Sequence, residues 1–241
     1  MRYREEQDLV IRNVTFSVAP GSKCAIIGRT ASGKSSLFNC LLRFQEIEND
    51  NNNSGIYLNG TDVRDLSLHA LRTSISFIPQ SPVLFLGTLR ENLDFNNSNS
   101  DEEIWSAIEQ VGLSELLERK VCKESQSMPN IKEILDYSIS ENGSNFSCGE
   151  KQLICLARSI LKKSKLLLMD EATANVDSFT DSQIQKTLRG PLFNNCTIIT
   201  IAHRIETVKD YDRIILMKLG EIEMNDTPSQ VLQYYVENYN Q

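Results

Sequence analysis

The chain has 241 residues, enough to bury a substantial core as one globular unit of two subdomains. Its 25 basic and 32 acidic residues leave a net charge of −7, which excludes a non-specific grip on nucleic acid, because that affinity comes from neutralising phosphates with Lys and Arg. No apolar stretch approaches the ~20 residues that span a bilayer, and Met1–Glu6 (MRYREE) is too charged to open a signal peptide.

Residues 8–27 alternate apolar side chains (Leu9, Ile11, Val14, Phe16, Val18) ahead of Pro20-Gly21, the pattern of a half-buried antiparallel hairpin. Lys23–Ile27 then reads as a short buried strand and Ser35–Leu42 as a helix. Between them, Gly28-Arg29-Thr30-Ala31-Ser32-Gly33-Lys34-Ser35 fits G-x-x-x-x-G-K-[ST], a phosphate-binding loop in the strand–loop–helix setting that the motif requires. Residue frequencies give such a match a chance probability of about 1% in a chain of this length. Unpaired N–H groups at the helix start carry partial positive charge and solvate polyphosphate. Gly28 and Gly33 permit the tight loop, and Ser36 follows it into the helix. Lys34 can reach β- and γ-phosphates, and the Ser35 hydroxyl can ligate Mg²⁺.

Further along, Asn49–Asn53 reads as a low-complexity surface loop, with strands expected near Ile56–Leu58 and at Ile75–Ile78. Gln80 to Ser147 is helix-rich with no strong strand. Its clearest helix opens at the capping box Ser100-Asp101-Glu102-Glu103 and continues through Ile104, Trp105, Ile108 and Val111, whose side chains read as core. Past Ser147 come a helix, a strand at Leu166–Met169, a helix near 181–189, a strand at Thr197–Ile201 and hairpin strands at Arg213–Met217 and Glu221–Met224. Strands alternating with helices imply a parallel sheet interrupted by a helical insertion. The six cysteines form no C-x-x-C pair and read as reduced core residues rather than disulfide or zinc ligands.

Lys165–Glu171 is an apolar run ending in two acids, which sets Asp170 and Glu171 at the C-terminal edge of a parallel sheet, where α/β proteins bind ligands. Asp170 can hold Mg²⁺, and Glu171 can polarise an attacking water. With the phosphate loop this makes a Walker A and Walker B pair. Asn145–Gln152 (NFSCGEKQ) leads into an apolar-periodic helix of Leu153, Ile154, Leu156, Ala157, Ile160 and Leu161.

That last stretch resembles the Leu-Ser-Gly-Gly-Gln signature of ATP-binding cassette (ABC) ATPases and lies, as in that family, between the Walker motifs. Other elements are similar in order: Gln80 to the Q-loop, Ala174–Asp177 to the D-loop and His203 to the switch histidine. Tyr3 is placed like the aromatic that stacks on adenine. Residues 82–94, 68–72 and 154–158 look like the multidrug-resistance-associated (C) subfamily, most like its second nucleotide-binding domain. The other histidine, His69, reads as a surface helix residue.

The resemblance implies an α/β P-loop NTPase with an antiparallel β subdomain and a helical signature subdomain, the core at about 1–82 and 158–241 and the helical part at about 83–157. It implies ATP and Mg²⁺ as cofactors, with Ser35, Gln80 and Asp170 on the metal. Glu171, His203, Gln80 and Lys34 would act in hydrolysis. Ser147, Cys148, Gly149 and Glu150 would complete the ATP site of a second nucleotide-binding domain in a head-to-tail pair, and Asp177 would be the D-loop acid. The module would work at the cytoplasmic face of a membrane, joined to transmembrane domains, soluble when isolated, and would power export of organic anions or conjugates. The motifs also suit a regulatory ATP-binding module that gates a channel or receptor subunit. Intact Glu171 and His203 favour turnover over that. Acidity and the lack of a coiled coil disfavour a soluble ABC ATPase of DNA repair or translation.

Three residues depart from the family signature: Phe146 for Leu, Cys148 for Gly and Glu150 for Gln. Ser147-x-x-Glu150 satisfies a capping box, so Glu150 either caps the helix or sets an extra carboxylate against a partner's phosphates.

Overall fold

The computed structural model describes residues 1–48, 54–125 and 129–239, so the expected loop Asn49–Asn53 lies outside the described residues. In chain order the elements are β1 (Lys23–Ile27), α1 (Lys34–Leu41), β2 (Tyr57–Leu58), β3 (Thr61–Asp62), α2 (Leu68–Ser74), β4 (Ile75–Ile78), β5 (Gly87–Thr88), α3 (Leu89–Leu93), α4 (Asp101–Gln110) and α5 (Ser114–Ser125). They continue as α6 (Ile131–Leu135), β6 (Ser138–Ile139), α7 (Cys148–Lys162), β7 (Leu166–Asp170), α8 (Ser178–Arg189), β8 (Thr197–Ile201), β9 (Arg213–Lys218), β10 (Glu221–Asp226) and α9 (Pro228–Tyr239). The chain divides into two units. The first is Met1–Ser76, Lys165–Glu171 and Asn195–Gln241, and the second is Phe77–Ser164 and Ala172–Asn194. This division differs from the expected subdomain limits, because it groups α8 with the helical unit.

The sheet of the first unit runs β10-β9-β1-β8-β7-β4. β1 pairs in parallel with β8 and β9, and β7 in parallel with β8, while β10 folds back antiparallel on β9. β1 is apolar on both sides of its pleat because both faces are covered. Cys24 and Ile26 pack with Leu37, Phe38 and Leu41 of α1 and with Ile199, Ile201, Ile215 and Met217. Ala25 and Ile27 face the other way, toward Ile214, Leu216, Val208, Tyr211 and Val231. A sheet buried on both faces leaves its strand ends as the place where polar chemistry can sit.

The hairpin expected over residues 8–27 does not form: no strand precedes Lys23. Ile11, Val14, Phe16 and Val18 do turn inward against the first core. Their backbone is tied elsewhere, with Val10 N–H donating to Met1 O and Arg12 N–H to Gly220 O at 2.8 and 2.9 Å. Alternation records which side chains face a core, and here it does so without a ladder.

In the second unit, α4 carries the expected capping box of Ser100 and Glu103 and buries Ile104, Ala107 and Ile108. Trp105 is half-buried. α7 buries Leu153, Ile154, Leu156, Ala157 and Leu161, and its last carbonyls are closed by Lys163 in the left-handed conformation. Arg158 ties α3 to the segment ahead of β5, donating to Asn92 O and Oδ1 and to Val83 O. The strands in this unit are the two-residue ladder of β5 and β6 and the end of β4. His69 is exposed on α2.

All six cysteines are free thiols, with Cys24, Cys40, Cys155 and Cys196 buried but Cys122 and Cys148 exposed, so two of the six are not core residues. Burial pushes the Cys24 thiol up to about 12, which suppresses thiolate chemistry there. Among the described residues no helix is long and apolar enough to cross a membrane.

Candidate nucleotide site

The loop between β1 and α1 is built so that nothing larger than glycine fits at its two ends. Gly28 has φ 151°, and a Cβ there would lie 2.3 Å from Met217 O and 2.8 Å from Ser32 Oγ. Gly33, at φ 101°, caps α1 without a side-chain cap bond, and a Cβ would lie 2.7 Å from Ile11 Cδ1. Between them Ala31 holds φ 64°, while Arg29, Thr30 and Ala31 are exposed. The first N–H groups of α1 therefore end at a strained, outward-facing loop, with the helix dipole behind them.

Lys34 is buried and its Nζ donates to the carbonyls of Gly28 and Arg29 at 2.9 and 3.1 Å, so the ammonium is curled under the loop. Burial holds its pKa below the ordinary lysine value, opposed by the nearby carboxylates of Glu171 and Asp170. Ser35 is exposed at the helix start, its Oγ 3.4 Å from Asp170 Oδ1. Ser36 is buried and accepts from Tyr3 OH at 2.9 Å, and Asn39 Nδ2 donates to the same phenol at 3.1 Å. Tyr3 thus stands on the first turns of α1 and is 45% exposed.

Asp170 ends β7 and Glu171 follows it. Burial raises the Asp170 pKa above the ordinary carboxylate value; the Ser35 hydrogen bond opposes the rise and Glu171 adds to it. Glu171 adopts φ 47°, a left-handed conformation that costs a residue with a Cβ roughly 1 kcal/mol or more. Its N–H donates to Ile201 O at 3.0 Å, which continues the β7–β8 pairing by one step. His203 lies two residues past β8, and its Nε2 is 2.6 Å from Glu171 Oε1. Lys34, Ser35, Asp170, Glu171 and His203 thus meet at the C-terminal edge of the parallel strands, as the sequence pattern expects.

The second unit holds the remaining motif residues. Gln80 is exposed just beyond β4, and Gln152 Nε2, from α7, donates to the carbonyls of Pro79 and Gln80 at 3.0 and 3.2 Å. Ser147 caps α7: its Oγ accepts from Glu150 N–H at 3.2 Å, and Glu150 Oε2 accepts from Ser147 N–H at 2.9 Å. The capping box expected of Glu150 is therefore formed. Cys148 is exposed, and Gly149 is buried where a Cβ would lie 3.1 Å from Thr180 Cγ2. Thr180 is in turn held by the α8 cap, with its N–H and hydroxyl both donating to Asp177 at 3.0 and 2.8 Å.

A magnesium-bound triphosphate fits the residues of the first unit. Ser32 Oγ is buried with no hydrogen-bond partner, pointing to a ligand-facing role for the loop. One hydroxyl and one carboxylate, Ser35 and Asp170, are a hard-oxygen pair suited to Mg²⁺, which keeps waters and substrate phosphates as its other ligands. No cluster of three or more His, Cys, Asp or Glu side chains able to hold a metal exists among the described residues.

Sequence reasoning missed several supports of this site. Ile11 and Met217 wall the loop through van der Waals and backbone contact, Asn39 steadies Tyr3, and the Arg29 guanidinium lies 5.0 Å over the Tyr239 ring of α9. Partners so distant along the chain leave no mark in local spacing.

A model of the ABC transporter family matches residues 11–174. The chain is 42% identical over 237 residues to the pleiotropic ABC efflux transporter of multiple drugs YBT1 of Candida glabrata, covering 96% of this chain and 14% of that protein. It is 42% identical over 233 residues to ATP-binding cassette sub-family C member 2 of Homo sapiens, and 43% identical over 233 residues to ABC transporter C family member 3 of Arabidopsis thaliana, in each case covering 97% of this chain and 14% of the relative. The chain therefore spans about one-seventh of the length of these curated relatives. The structure of a bacterial Atm1-family ABC exporter with ATP bound matches with a TM-score of 0.82 at 28% identity, covering 97% of this chain and 38% of the other. The loop at Gly28–Ser35, the acids ending β7, the histidine after β8 and the family match together show that this chain belongs to the ABC transporter family.

Proposed function

We propose that the chain is the ATP-binding and ATP-hydrolysing module of a membrane exporter, corresponding to a second nucleotide-binding domain of subfamily C. The observation that carries the reading is the pair of Glu171 and His203, 2.6 Å apart beside Asp170 and the Lys34 loop. A carboxylate held by a strained backbone and met by an imidazole suits a general base that orients water. Ser35 and Asp170 would hold magnesium, which would supply charge neutralisation on the phosphates. Lys34 and the loop amides bind and orient the triphosphate, Tyr3 offers its exposed ring to the adenine, and His203 holds Glu171 and steadies developing charge.

Ser147, Cys148, Gly149 and Glu150, with Asp177 beside them, are the surface offered to the nucleotide of a second such domain in a head-to-tail pair. Transmembrane domains at the cytoplasmic face of a membrane are the other partners, and organic anions or drugs the cargo. The names of the relatives support efflux of drugs and the subfamily, since one is an efflux transporter of multiple drugs and another a sub-family C member. The test is inorganic phosphate release from Mg-ATP by the chain and by Glu171→Gln. Steady turnover that the substitution abolishes supports the reading, whereas the absence of turnover in the unaltered chain with ATP bound favours a regulatory module.

A further inference from the structure

Two departures of the signature, Phe146 and Glu150, share one partner. Lys120 of α5 lies 26 residues upstream of Phe146 in sequence, yet its Nζ donates to Asn145 O at 2.8 Å, lies 4.6 Å from the Phe146 ring centroid and is 3.4 Å from Glu150 Oε2. That carboxylate oxygen is the one that accepts from Ser147 N–H at 2.9 Å, so the ammonium and the helix cap meet on a single atom. Phe146 is buried and braced edge-on by Tyr137, with centroids 6.0 Å apart. The side chains of Lys120 and Glu150 are only 25% and 18% exposed, so the pair is shielded more than an ordinary surface pair.

We propose that Lys120 is a positioning residue of the signature, which cancels the Glu150 charge and fixes the cap so that the exposed start of α7 can meet a polyanion. This rests on the reading that Ser147 and its neighbours face the nucleotide of a second domain. An unpaired carboxylate at that helix end repels phosphate and undoes the attraction of the dipole. With the ammonium on the same oxygen, the Glu150 charge is compensated at the cap itself. Glu150 then serves the cap without opposing the ligand. The aromatic at 146 takes part too, since its face holds the lysine stem and head in place.

The experiment uses the full chain in a Glu171→Gln background, with Mg-ATP-dependent pairing measured by sedimentation velocity and the fold checked by thermal melting without nucleotide. Lys120→Met is expected to weaken pairing about tenfold, and Lys120→Arg to keep it. Adding Glu150→Gln to Lys120→Met is expected to restore pairing to within about twofold of the parent, because the uncompensated charge is gone. The loss in Lys120→Met should also shrink as salt is raised. Lys120→Met pairing as well as its parent, or a double variant as weak as the single one, overturns the proposal. Cys148→Glu separates it from the reading beneath. This exposed position receives a carboxylate with no lysine partner, so it should block pairing. If Cys148→Glu pairs normally, or the parent never pairs, the signature reading fails. If Cys148→Glu blocks pairing and Lys120→Met does not, only the role of Lys120 fails. Should Lys120→Met not fold, Lys120→Gln takes its place under the same criteria, with the Glu150→Gln cycle read on the urea midpoint. Zero coupling there overturns the proposal.

Discussion

His203 Nε2 stands 2.6 Å from Glu171 Oε1, and the two residues are brought together by adjacent parallel strands that end within one step of each other. Asp170 pairs with Ile201 in the register of β7 and β8, so the residue after the first and the second residue after the other share one edge. The sheet register sets this meeting.

Glu171→Gln keeps the shape of the side chain and its capacity to accept from His203, but removes the base. Turnover is expected to fall by about 10²–10⁴-fold, the usual loss for a general base, with ATP affinity retained. Phosphate release and equilibrium nucleotide binding on the same preparation check both halves. A variant that hydrolyses at the parent rate excludes Glu171 from the role.

Lys34→Ala removes the ammonium that lies under the loop. At ATP near 100 times Kd the unaltered chain gains about 2.7 kcal/mol, which at roughly 2–4 °C per kcal/mol for a domain of this size is about 5–11 °C in melting temperature. The substitution is expected to erase most of that shift. Differential scanning calorimetry with and without Mg-ATP reads it, and an equal shift in both proteins sinks the assignment.

The pH dependence of Asp170 has a definite sign. Burial, followed in weight by the Ser35 hydrogen bond that opposes it, leaves the folded-state pKa above the ordinary value of 3.8. A carboxyl whose pKa is raised on folding binds its proton more tightly in the folded chain, so its ionisation costs stability above the folded pKa. That cost fades as pH falls through the folded pKa toward 3.8. Asp170→Asn without nucleotide is therefore expected to melt higher than the parent at pH 7, with the gap closing in acid. A gap that widens in acid contradicts the assigned direction.

Arg158 closes three carbonyl acceptors, two on Asn92 of α3 and one on Val83 ahead of β5, with one planar group. Arg158→Met removes the guanidinium donor from all three, leaving Asn92 Oδ1 with only the Phe85 N–H, and is expected to cost about 2–4 kcal/mol, read as a lower urea midpoint at unchanged slope. Arg158→Lys should recover only part of the loss, since an ammonium cannot reproduce the fork.

Much of this was legible in the sequence because the informative signals are local. The strand at Thr197–Ile201 was found at its true limits and the Ser100–Glu103 cap at its true residues, since runs and caps are written in adjacent positions. The first hairpin was misread because alternation at Ile11, Val14, Phe16 and Val18 reports facing and says nothing of pairing. The state of Glu150 could not be read because its partner Lys120 sits on another helix. Asp170 and Ser35 were legible as separate motifs, but only the folded sheet gives their 3.4 Å approach.

The phosphate loop is also bolted to the far end of the chain. Gly220 N–H donates to Ser32 O at 3.0 Å, Arg12 N–H to Gly220 O at 2.9 Å, and Met217 O closes over Gly28. During synthesis, residues 28–35 emerge well before the turn between β9 and β10 that makes part of their wall. The loop therefore waits for almost the whole domain before it can take its final form. A truncated or stalled product lacking that turn retains the Walker A letters without the geometry that makes them a ligand site.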